Sequence, residues 1–104
     1  MVNTRPERIA IENVLSPGRQ VSVDAAKYHD MRRAMLTVLA PARPATTPAE
    51  LMELVVPLLS PELFPGGDKA GWWLKAVQLD LEAKGILCRE ASKPVRLLRT
   101  AVPG

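Results

Sequence analysis

Apolar positions along this chain change period twice, and the changes divide it into elements. Ile9 and Ile11 alternate with polar or small neighbours, Pro17-Gly18 supplies a turn, and Val21 and Val23 alternate again. A period of two marks strands, so residues 8–23 are predicted as two short strands. From Asp24 the period lengthens. Tyr28, Met31, Met35, Val38 and Leu39 recur at three- and four-residue spacing behind a residue suited to cap a helix, which predicts a helix over 25–39. Pro41 and Pro44 end it, because proline lacks the amide that continues the ladder.

Thr47-Pro48-Ala49-Glu50 carries the strongest local signal: a threonine cap, proline at the first helical position, and a glutamate three residues after the cap to complete a capping box. The helix it opens is predicted over 48–59, with Leu51, Met52, Val55, Val56 and Leu59 on its buried face and Pro57 loosening the last turn. Residues 60–67 read as a loop anchored by Leu63 and Phe64. Asp68 is then expected to cap a third helix over 69–84, which Gly85 stops from the left-handed position that favours glycine. Trp73, Val77 and Leu81 define its core side, with Leu74 beside them. Beyond it, Ile86-Leu87-Cys88-Arg89 and Val95-Arg96-Leu97-Leu98-Arg99 flank a polar turn and predict a hairpin over 86–99.

The junction Leu81-Glu82-Ala83-Lys84-Gly85-Ile86-Leu87, leading from a third helix into a basic hairpin, resembles the winged helix-turn-helix superfamily. That resemblance covers residues 25–99 by architecture. It implies an α+β winged helix over 24–100, with three helices and a C-terminal β-hairpin wing, preceded by a short β arm over 1–23 and followed by a tail at 101–104. More narrowly, Phe64-Pro65-Gly66-Gly67, Lys69-Ala70-Gly71-Trp72-Trp73 and Val77 to Gly85 are similar to a family of short bacterial proteins whose domain has no known function. The N-terminal winged-helix domains of some restriction endonucleases are similar in outline, and those bind DNA.

Composition narrows the class. With 104 residues, 47% of them hydrophobic and 24% charged, the chain can bury one core and lacks the polar bias of a disordered segment. No apolar run reaches the ~18 residues of a bilayer span, and the polar start Met1 to Arg8 does not read as a signal peptide, so a cytoplasmic protein without membrane contact is expected. The single cysteine, Cys88, fits a reducing compartment. Net charge is +3, and the segment 85–104 supplies it through Arg89, Lys93, Arg96 and Arg99 against Glu90 alone. Elsewhere acids and bases cancel.

Candidate chemistry points to binding rather than catalysis. His29 is the single histidine, and its neighbour Asp30 projects about 100° away on the same helix, so no catalytic triad is expected around it. Cys88 between Leu87 and Arg89 reads as a buried, inert thiol. The stretch Pro65 to Gly71 lacks the P-loop pattern, and Asp68 opposes a phosphate. His, Cys and carboxylate spacing matches no zinc site, so neither metal nor cofactor is expected.

Two partners remain. Duplex DNA is the leading one, met by helix 69–84 and the wing 86–99 through Lys69, Lys75, Gln78, Arg89, Lys93, Arg96 and Arg99. In that reading Lys75 and Gln78 face outward to the bases and the wing arginines meet phosphates. Against it stand Asp68, Asp80 and Glu82 on the same helix. The alternative is a protein partner or a second copy of the chain, met by Trp72, Leu79 and the N-terminal arm, since an outward tryptophan suits a protein interface better than a DNA groove; the competing reading of Trp72 is that the N-terminal arm covers it.

Overall fold

The computed structural model describes residues 7–39, 45–90 and 95–100. It is an α+β fold with three helices and two small antiparallel sheets. Strands β1 (Arg8–Glu12) and β2 (Gln20–Asp24) form the first sheet, in a register that sets Ile9 opposite Val23 and Ile11 opposite Val21. All four apolar residues therefore share one face. That face lies on the helices, where Ile11 and Val23 are buried, Ile9 is partly covered, and Val21 stays exposed at the margin.

Helix α1 (Ala25–Val38) starts where Asp24 accepts a hydrogen bond from the Lys27 amide, and it buries Tyr28, Met31, Met35 and Val38, with Leu39 just past its end, as the spacing predicts. Helix α2 (Pro48–Val55) opens with the full capping box between Thr47 and Glu50. Pro57 cuts it short: residues Val56–Leu58 tighten into a 3-10 turn, and Val56, expected in the core, is turned to solvent. Leu51, Val55 and Leu59 remain buried.

Helix α3 (Ala70–Ala83) begins differently from the expectation. Asp68 does not cap it; Lys69 occupies the cap position in a left-handed conformation, φ 59°, with no side-chain cap. The Pro65–Gly67 turn causes this, because its two left-handed glycines bring the chain in at an angle that leaves Asp68 extended. At the other end Gly85 takes the left-handed conformation expected of it, φ 75°. Trp73 packs edge-on against Phe64 with ring centroids 6.3 Å apart, and Val77 and Leu81 complete the core side.

Strands β3 (Leu87–Glu90) and β4 (Arg96–Arg99) make the C-terminal hairpin. A third piece of backbone joins it: Thr46 and Leu97 exchange both amide–carbonyl hydrogen bonds, at 2.8 and 2.7 Å, so the segment before α2 lies along β4. Leu87 and Leu97 point from this sheet into the core.

The N-terminal hairpin is held by more than apolar contact. Glu12 donates its amide to Asp80 Oδ1 at 2.9 Å, and Val14 donates to the Leu79 carbonyl at 3.3 Å. Asp80 is fully buried and also accepts from the Tyr28 hydroxyl at 2.5 Å and from Lys84. Burial, then the Asp80 hydrogen bond and charge, push the Tyr28 phenol well above its ordinary value. Among the described residues, no helix is long and apolar enough to cross a membrane.

Candidate functional site

Strand alternation decides where the basic hairpin points. Arg89 pairs with Leu97 and Arg99 with Leu87, so both arginines lie on the sheet face that carries the two buried leucines. Their heads reach back to the helices. Arg89 places Nε and Nη2 on the Glu82 carboxylate at 2.5 and 3.2 Å, which pushes its already high pKa further up, and Arg99 donates to the Leu36 carbonyl of α1 at 3.4 Å. Arg96, on the opposite face, comes within 3.7 Å of Glu50. Lys93 lies outside the described residues. Each described wing arginine is thus engaged within the chain.

On α3 the expected base-reading pair separates. Lys75 is exposed, but Gln78, expected outward, is buried at 3% exposure and donates to Glu82 at 3.1 Å. The physical reason is the C-terminal hairpin, which closes over this side of the helix and brings Arg89 to the same carboxylate. Lys69 is exposed at the head of the helix. Cys88 also departs from expectation: the alternation that buries Leu87 turns the thiol to solvent. His29 is exposed on α1, its ring edge-on to Tyr28.

What the fold does assemble is an apolar groove of about 360 Å³ between the N-terminal hairpin and α3. Ile11 and Val21 form its strand wall, and Trp72, Ala76 and Leu79 its helix wall. Residues 72, 76 and 79 follow helical spacing, so they line one stripe. The arm covers part of that stripe and not the rest. Leu79, expected to be an exposed contact, is 7% exposed because the turn after β1 sits on it, whereas Trp72 stays 58% exposed. Trp72, which lines the groove, stands edge-on to buried Trp73, ring centroids 5.1 Å apart.

The polar margin is asymmetric. Arg19 from the turn and Lys75 from α3 flank the opening, and among the described residues neither makes a side-chain hydrogen bond or ion pair. Glu12, at the same margin, is held 3.8 Å from Lys84. Sequence spacing foretells that Trp72, Lys75 and Leu79 share a side of the helix. It gives no sign that Ile11, Val21 and Arg19 face them, because that depends on how the hairpin docks.

A family model described as a family of unknown function, DUF6958, matches residues 8–97. No curated protein and no solved structure matches the chain.

Proposed function

The chain belongs to the DUF6958 family of unknown function; taking that premise, which brings no activity with it, we propose that this is a non-enzymatic winged-helix module that binds a protein partner in the groove between its N-terminal hairpin and α3. The winged-helix reading is supported by helix order, by the hairpin that follows α3, and by the Thr46–Leu97 pairing that adds the segment before α2 to that hairpin. Protein binding is supported by one observation above the others: Trp72 is more than half exposed at the mouth of an apolar groove. Exposed aromatic residues beside a desolvated pocket are the usual energetic centre of protein interfaces.

Duplex DNA is the second reading, carried by exposed Lys69 and Lys75 on α3. It is the weaker one, because Arg89 and Arg96 already sit against Glu82 and Glu50 and would have to leave them to neutralise phosphate. Selection from a displayed random-peptide library on the folded protein tests the proposal, with anisotropy of a labelled duplex measured alongside. Wild type should enrich related peptides and Trp72→Ala should enrich none, while the duplex shows no binding at physiological salt. Duplex binding weakened by Lys75→Ala, with no peptide enriched, would replace the proposal with the DNA reading.

A further inference from the structure

Resting on the protein-binding reading, we infer that the occupant of the Trp72 groove is an acidic segment of another protein, one that places a large apolar side chain in the groove and carboxylates on either side of it. Three features of the groove lead there. Its walls, Ile11, Val21, Trp72, Ala76 and Leu79, offer an apolar surface and accept an apolar anchor. Its volume of about 360 Å³ lies at the small end of the ligand clefts of folded proteins, suited to a short stretch of side chains rather than to a folded surface. Its margin carries two cations, Arg19 and Lys75, that no carboxylate of the described residues answers, whereas Lys84, Arg89 and Arg96 all lie near one. Complementary charge at the rim of an apolar site steers the encounter and selects among partners.

The same charges argue against a second copy as the occupant. A two-fold contact sets the same patch against itself. Here the facing margin would offer Arg19 and Lys75 further cations and one carboxylate, Glu12, that Lys84 already holds at 3.8 Å, and the turn that could enter the groove, Asn13 to Gly18, carries none. Like charges so placed oppose association. Duplex DNA satisfies the cations but leaves the apolar walls unfilled.

The test uses the full chain and four synthetic probes: a peptide with a central leucine flanked by glutamates, the same peptide with alanine at the centre, the leucine peptide flanked by glutamines, and one flanked by lysines. Titration calorimetry should find the acidic leucine peptide tightest, with affinity falling about tenfold or more for the alanine and glutamine forms and falling with added salt. Trp72→Ala should abolish its binding. The double variant Arg19→Glu, Lys75→Glu should prefer the lysine-flanked peptide, an exchange that a merely damaged fold does not produce. Equal affinity for the acidic, glutamine and lysine forms, still lost in Trp72→Ala, would overturn the acidic partner and leave the groove as a protein-docking site. Absence of binding by every leucine peptide would overturn both.

Discussion

Asp80 is the residue whose removal should disturb the candidate site most without touching it. Its carboxylate is fully buried between α1, α3 and the N-terminal hairpin, and it accepts hydrogen bonds from the Tyr28 hydroxyl, the Glu12 amide and Lys84. Asp80→Ala leaves the first two donors without an acceptor, and an unsatisfied buried donor costs about 1–3 kcal/mol. Lys84 is 37% exposed and turns to water, so its share is small. The Glu12 amide sits nearer the surface and recovers some hydration, which places the total near 2–4 kcal/mol, a large part of the ~5–15 kcal/mol that holds a domain together. Urea unfolding of Asp80→Ala, Tyr28→Phe and the double variant measures it. Tyr28→Phe should cost about 1–2 kcal/mol in the wild-type background and stabilise by about 1 kcal/mol or more beside Asp80→Ala, where it removes the unsatisfied hydroxyl. Hydrogen exchange at the Glu12 amide should be slow in the wild type and fast in Asp80→Ala. A loss below about 1 kcal/mol for Asp80→Ala, or equal Tyr28→Phe costs in both backgrounds, would show that the carboxylate does not hold these elements together.

Tyr28 is the single tyrosine, so its phenolate absorbance can be followed directly. Burial and Asp80 raise its folded-state pKa, so its contribution to stability is complete below the unfolded value of about 10 and is lost as pH rises beyond it. Ionisation near pH 10 in the folded protein would contradict this. Thr47→Ala should cost about 1 kcal/mol in thermal or urea unfolding through loss of the capping box. The Thr47 hydroxyl, then its amide, hold the Glu50 carboxyl below its ordinary value, so this contribution is present above the ordinary glutamate range and fades as pH falls through the lowered pKa. Lys69→Gly should stabilise by about 0.5–1 kcal/mol and Gly85→Ala destabilise by about 1 kcal/mol, since each changes whether a Cβ occupies a left-handed position, and open space around Gly85 leaves conformation as the cause. Melting temperatures that move in the same direction for both would refute that account.

Several features were legible because they are local. The capping box at Thr47, the Asp24 cap and the left-handed Gly85 need only neighbouring residues to form, and all three are present. The stripes of α1 and α3 were legible from period alone, and so was the core place of Trp73, whereas period left open whether the arm covers Trp72. The alternation in residues 8–23 showed the two strands of the first hairpin, and their register set the aliphatic residues of both on one face.

What failed to show in the residues depends on neighbours distant along the chain. Asp80 reads as one more acid on α3 that offsets its lysines, yet Tyr28 and Glu12 make it the buried joint between hairpin and helices. Gln78 reads as outward until the C-terminal hairpin folds over it. Arg89 and Arg99 count as a basic wing by composition, but register puts them on the inward face. By itself the sequence determined where helices and strands start, stop and turn their apolar sides, because capping, backbone conformation and period act within a few residues. Tertiary structure alone decided which charges stay free and where the groove opens, because both follow from how the two hairpins dock on α3, contacts between residues as much as 68 positions apart.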